Sequence, residues 1–276
     1  MQHETGTFIG RTGVTLFRQA WLPDHPPRAT LINLHGLGDH SSLYPALPEY
    51  FVPHGIAIQA FDLRGHGRSG GQRAYLENWN DYREDLDTFV ALVAGQSAER
   101  PFLLGNSLGG LAVLDYALHH GSRISGVVAA APALGEVGVP RLLMSAGRIL
   151  SRVWPRFSLR TGMNLGGLSR DPAAVRAVVD DPLFHSVGTA RLSTEVVATI
   201  ERVQRLAPLL DVPVLLLHGG ADTMVSPEGT RAFFARLTVA DRKLIEYPDA
   251  YHALFADLDA PRVLADLREW IEARID

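Results

Sequence analysis

Short β-rich runs recur along the chain at residues 14–21, 30–34, 56–62, 102–105, 126–131, 214–218 and 244–247. Several are nearly continuous in apolar residues, the pattern of strands covered on both faces. Helical periodicity fills the gaps between them. Residues 80–93 place Tyr82, Leu86, Phe89, Val90 and Val93 on one side. Residues 261–275 open with a proline in the first turn, then repeat Val263, Leu264, Leu267, Trp270, Ile271 and Ile275 at helical spacing. The alternation predicts an α/β fold with a mostly parallel central sheet flanked by helices. One stretch breaks the rhythm. From Leu134 to Ala207 no strand pattern appears, and the pieces read as helices punctuated by Pro140, Pro155, Gly162, Gly166, Gly167, Pro172 and Pro182. We therefore expect residues 1–133 and 208–276 to form one α/β core in two parts. Residues 134–207 are expected to form a helical cap or lid inserted between strands.

Composition narrows the chemistry. The chain has 276 residues, enough for one large domain with a full core. Hydrophobic residues make up 46% and charged residues 20%, with a net charge of −4, so nothing in the bulk composition points to nucleic acid. There is no cysteine, which excludes disulfides, thiolate metal sites and a cysteine nucleophile. Residues 1–10 are polar and lack the basic start and apolar run of a signal peptide. No apolar stretch approaches the ~20 residues of a membrane helix. A cytoplasmic protein is the expectation. The scattered histidines show no HExxH-type spacing, so no metal site is expected.

The pattern G-x-S-x-G marks a nucleophile elbow when it joins a strand to a helix. It occurs twice, at Gly67-Arg68-Ser69-Gly70-Gly71 and at Gly105-Asn106-Ser107-Leu108-Gly109. Context separates the two. Ser107 follows the apolar run Phe102-Leu103-Leu104 and precedes Leu111, Val113, Leu114, Ala117 and Leu118, a helical pattern that closes at Gly121, where glycine suits a C-cap. Ser69 lies beyond a charged, glycine-rich turn, and Gln72-Arg73-Ala74 offers no apolar helical face. Ser107 is therefore the expected nucleophile.

A serine needs a base, and the base needs an orienting carboxylate. In elbow enzymes the order along the chain is serine, acid, histidine. Asp222 follows the strand at 214–218, and His252 follows the strand at 244–247 in a loop before the final helix. Both leave carboxyl ends of strands, where open-sheet enzymes place their sites. Asp249 and Asp257 are nearer in sequence but weaker candidates, because the acid must reach the ring from another loop. His218 reads as the end of a strand. The tetrahedral oxyanion needs donors. The backbone N–H of Leu108 at the helix start is one, and the N–H of Leu37 in the loop His35-Gly36-Leu37-Gly38-Asp39-His40 is the other. His35 is given a supporting role, and Arg64 and His66 are expected to hold loops together.

Together these segments resemble the monoacylglycerol lipase and lysophospholipase branch of the α/β-hydrolase superfamily. The matching motifs are the loop from His35 to Ser41, Phe61 to Ser69, Gly105 to Gly110, Ser169-Arg170-Asp171-Pro172 with Asp181-Pro182-Leu183, Gly219 to Pro227, and Tyr251-His252. The resemblance spans nearly the whole chain. It implies a cofactor-free serine hydrolase of monoacylglycerols, lysophospholipids or simple esters, with Ser107, Asp222 and His252 as triad and Leu37 and Leu108 as oxyanion donors. One departure is that Asn106 and Leu108 flank the nucleophile where the branch usually carries histidine and methionine. Leu108 donates through its backbone, so that change is mild; Asn106 alters polarity beneath the elbow and leaves the ester class open.

Residues 139–170 hold Arg141, Arg148, Arg152, Arg156, Arg160 and Arg170 and no acid, interleaved with Leu142, Leu143, Met144, Ile149, Leu150, Val153, Trp154 and Phe157. This reads either as a solvated arginine face or as a lid that rests on anionic lipid. Competing functions are a small-ester carboxylesterase, an amidase, an acyltransferase and a non-catalytic ligand-binding protein of the same fold.

Overall fold

The computed structural model describes residues 1–95, 99–135 and 141–275, with the backbone alone for 141–146. Strands are β1 (Gln2–Ile9), β2 (Thr15–Leu22), β3 (Ala29–Leu34), β4 (Ile56–Phe61), β5 (Phe102–Asn106), β6 (Gly126–Ala130), β7 (Ser158–Arg160), β8 (Val187–Thr189), β9 (Val214–Gly219) and β10 (Arg242–Tyr247). Helices are α1 (Ala46–Phe51), α2 (Asn80–Ala94), α3 (Leu108–His120), α4 (Arg141–Val153), α5 (Pro172–Val179), α6 (Ala190–Leu206), α7 (Pro227–Arg236) and α8 (Ala260–Glu272). Eight strands form one sheet in the order β1-β2-β4-β3-β5-β6-β9-β10. β1–β2 and β2–β4 are antiparallel and the remaining pairs parallel.

The central strands β3, β4, β5, β6 and β9 are buried at every position. Their alternate side chains feed two cores. One holds Ile32, Leu34, Leu103, Val127 and Leu216 against Tyr82, Leu86 and Phe89 of α2 and Leu111 and Leu114 of α3. The other holds Leu31, Leu104, Val128 and Leu217 against Phe51 of α1 and Val263, Leu267 and Ile271 of α8. Parallel pairing throughout this region aligns the carboxyl ends of β3, β5, β9 and β10, so the loops that follow them leave one edge together.

Three expectations require correction. β1 was absent from the predicted strands. Its sequence QHETGTFI is exposed at all but two positions, so an edge strand of this kind carries no burial alternation to read. The stretch from Leu134 to Ala207 is not wholly helical, because β7 and β8 pair antiparallel within it. Each is three residues long, and β7 is fully exposed, too short to show a period. Gly121 ends α3 but keeps right-handed angles (φ −51°, ψ −38°) and runs on into a short 3₁₀ turn. Its reason is space: a Cβ there would stand 2.7 Å from Asp211 Oδ1 and 2.8 Å from Val212 Cγ1.

Candidate active site

β5 passes into α3 through Ser107, whose backbone sits at φ 54° and ψ −115°. A non-glycine residue there costs on the order of 1–3 kcal/mol and persists only where its surroundings dictate it. Here they do. The Ser107 N–H donates to the Ala130 carbonyl at 3.0 Å, and the Ser107 carbonyl accepts the N–H groups of Leu111 and Ala133, both at 3.1 Å. Crowding explains the flanking glycines. A Cβ on Gly105 would lie 2.2 Å from the Gly109 carbonyl oxygen, and one on Gly109 would lie 2.3 Å from that of Leu34. Ser107 stays partly exposed and lines a cavity together with Leu37 and His252.

Asp222 leaves β9 and is turned back by its own carboxylate, whose Oδ1 accepts the N–H groups of Met224 at 2.8 Å and Val225 at 3.0 Å. Its other oxygen accepts His252 Nδ1 at 2.7 Å. Burial pushes this carboxyl up, but hydrogen bonds from His218, His252 and the Val225 N–H outweigh it and hold the group far below the usual carboxylate range. An ionised Asp222 keeps the proton of His252 on Nδ1 and leaves Nε2 free to accept one. The His252 loop is fastened in turn by residues between β6 and β9. His252 N–H meets the Gly167 carbonyl at 3.4 Å, and Ala253 N–H meets that of Leu168 at 2.7 Å. Ser169 Oγ donates to the Ala256 carbonyl at 2.8 Å.

The weaker acid candidates go elsewhere. Asp257 receives the Arg170 backbone N–H at 2.9 Å and its Nε at 2.8 Å, while Asp249 is exposed. His35 is fully buried, donating from Nδ1 to the Gly36 carbonyl at 2.8 Å and accepting the Leu63 N–H on Nε2 at 2.9 Å, so neither nitrogen serves as a base. Arg64 binds Asp85 at 2.7 and 2.8 Å and the Arg11 carbonyl at 2.9 Å, joining its turn to α2. Leu108 is the first residue of α3, where the N–H groups have no partner within the helix.

Two residues of the site, Asp39 and Tyr44, have no role in the sequence reading, and His218 and Asn106 gain partners that it did not assign. His218, taken as a strand end, places Nε2 3.4 Å from Asp222 Oδ2 and 3.0 Å from the Val225 carbonyl. Its spacing four residues before Asp222 was the available signal. Asp39, Tyr44 and Asn106 form a chain at one end of the cavity. Tyr44 Oη donates to Asp39 Oδ2 at 2.9 Å, accepts the Gly36 N–H at 3.3 Å and is bonded by the Asn106 side chain. Burial and the neighbouring Asp39 carboxylate push the Tyr44 hydroxyl well above its ordinary value, so it remains a donor. The other walls are apolar: Leu43, Met163, Leu165, Leu168, Val178, Phe184, Met224 and Phe255. Among the described residues no helix is long and apolar enough to cross a membrane.

Comparison with known proteins agrees with this architecture. The family model described as serine aminopeptidase, S33, matches residues 25–259. A monoacylglycerol lipase of Mycolicibacterium smegmatis is 30% identical over 98% of this chain and 97% of its own length. A monoglyceride lipase of Rattus norvegicus is 29% identical over 97% of this chain and 90% of its own. The crystal structure of the Paleococcus ferrophilus monoacylglycerol lipase is 35% identical and superposes with a TM-score of 0.87, covering 94% of this chain and 99% of that one. The chain belongs to the serine aminopeptidase S33 family and is a serine ester hydrolase of monoacylglycerol-lipase type with an α/β-hydrolase fold.

Proposed function

We propose that Ser107, His252 and Asp222 cleave carboxylic esters of long-chain acids, with monoacylglycerols or lysophospholipids as substrates. The observation that carries this reading is the 2.7 Å bond from His252 Nδ1 to Asp222, made by a histidine that shares one cavity with Ser107. His252 Nε2 takes the Ser107 proton as Oγ attacks the acyl carbonyl. The N–H groups of Leu37 and Leu108 receive the oxyanion. The carbon–oxygen bond to the alcohol breaks, and His252 returns the proton to the leaving alkoxide. Water then attacks the acyl-enzyme with His252 as base, releasing the acid and restoring Ser107.

The apolar walls favour an acyl chain over a peptide, although the family description names peptidases. Residues 134–207 act in this reading as the cap that completes those walls, since Met163, Leu165, Leu168, Val178 and Phe184 all belong to them. A profile of chain length and head group, comparing monoacylglycerols, lysophospholipids and p-nitrophenyl esters, tests the proposal. Turnover rising with chain length and lost in Ser107→Ala is expected; preference for the shortest esters would move the enzyme to the carboxylesterases.

A second reading concerns the surface of the cap. Val139 and the side chains of Arg141, Leu142, Leu143 and Met144 lie outside the described residues. Beyond them Ile149, Val153, Trp154 and Leu159 are exposed beside exposed Arg148, Arg152 and Arg160. Apolar and basic groups sharing a surface suit peripheral contact with anionic lipid. Co-sedimentation with liposomes at low salt is expected to show more binding to anionic than to neutral vesicles; equal binding would refute it.

A further inference from the structure

We propose that Asp39 is a specificity-determining residue that filters substrates by the charge of the leaving group, admitting neutral and cationic alcohols and rejecting anionic ones; of the two substrate classes proposed above it selects monoacylglycerols over lysophospholipids, whose leaving alcohol carries a phosphate. The proposal rests on Ser107 being the nucleophile. Asp39 is the one carboxylate among the described residues that line the cavity, and neither lysine nor arginine lines it. It stands close to the reacting centre. A carbon at the Cβ position of Gly36 would lie 3.2 Å from Asp39 Oδ2 and 3.3 Å from Ser107 Cβ, so carboxylate and nucleophile flank the same glycine.

The polar end of the cavity is short of donors. Tyr44 Oη satisfies Oδ2 of Asp39, while Oδ1 has no protein donor among the described residues. Asn106 is 5% exposed, lines the same cavity, and its buried Oδ1 also has no partner among the described residues. Asparagine carries no charge, so Asn106 cannot offset the carboxylate. Of the two parts of an ester substrate, only the alcohol can present hydroxyls or a cation to these acceptors; an acyl chain would strip them of water without replacing it. An anionic leaving group meets a like charge at close range in a partly water-excluded site, which costs heavily. Among the described residues of the cap, Arg148, Arg152 and Arg160 do not relieve this, since they are exposed and absent from the cavity walls. Attraction of anionic surfaces outside and exclusion of anionic leaving groups inside are thus separable properties.

The test compares kcat/KM of the full chain on three laurate esters, those of choline, glycerol and glycerol 3-phosphate. The wild type is expected to prefer the choline and glycerol esters. Asp39→Asn keeps an oxygen for the Tyr44 hydroxyl; it is expected to raise the glycerol phosphate to glycerol ratio about tenfold and to lower the choline to glycerol ratio. Asp39→Glu, which keeps the charge, should preserve the wild-type order and guards against a merely structural effect. Unchanged ratios in Asp39→Asn, with turnover still dependent on Ser107, would overturn the charge filter and leave the hydrolase reading standing. Absence of Ser107-dependent turnover of all three esters would overturn both.

Discussion

Ser69 and Ser107 occupy the same five-residue pattern and meet opposite fates. Ser69 is buried, donates to the Asp62 carbonyl at 2.5 Å and accepts the Phe17 N–H at 2.9 Å. Its own N–H goes to the His66 carbonyl at 3.0 Å, and Gly70 N–H goes to that of Thr15 at 2.9 Å. Both functions of its hydroxyl are spent on joining the turn after β4 to β2. Ser107 instead stands partly exposed at positive φ between a buried strand and a helix. The glycines differ likewise. Those around Ser107 let strand and helix backbones approach within a Cβ's reach, whereas Gly71 takes φ +101° to close a turn. A short motif thus has chemical meaning only through the elements it connects.

The comparison predicts a graded set of effects. The largest is at Ser107, where substitution by alanine is expected to lower kcat by about 10⁶. Asp222→Asn should follow at roughly 10⁴, because an amide donating to His252 favours the wrong tautomer; initial rates on one ester read both. At Ser69 the effect should fall on stability. Ser69→Ala leaves the half-buried Phe17 N–H without its acceptor, at a cost of about 1–3 kcal/mol. Its Tm should drop by about 2–12 °C, while kcat stays within about twofold of wild type.

Acid offers a smaller, conditional test of the Ser69 side. The rings of His35, His66 and His185 lie in series at that turn, tilted against one another, with centroids 5.3 and 4.9 Å apart. Burial pushes His66 well below its ordinary value and His185 from 6.5 to about 4. Between those two pH values the unfolded chain binds more protons than the folded one, so stability falls as pH drops through the window. His185 is only partly buried, so we expect a loss on the order of 1 kcal/mol, or about 2–4 °C in Tm. His185→Gln should lessen that decline; an identical pH dependence in the variant would contradict the assignment.

How much of this was legible beforehand follows from burial. β3, β5, β6 and β9 are covered on both faces, so their sequences are apolar without interruption and announce themselves. β1, β7 and β8 are exposed or very short and announce nothing. Within the site, Ser107, Asp222 and His252 each lie just past a strand's carboxyl end, so fold logic reaches them. Asp39 and Tyr44 share one loop, and Asn106 joins them only because β3 and β5 are adjacent, with Asn33 opposite Leu104. No local spacing encodes that meeting. His218 carried a spacing signal, yet its role depends on the turn that brings Asp222 back over β9.

Labelling with a fluorophosphonate, followed by peptide mapping of the modified serine, tests the central claim most directly. The probe should attach to the peptide carrying Ser107 in the wild type and in Ser69→Ala, and should attach nowhere in Ser107→Ala. Label on Ser69, or undiminished label in Ser107→Ala, would contradict the account.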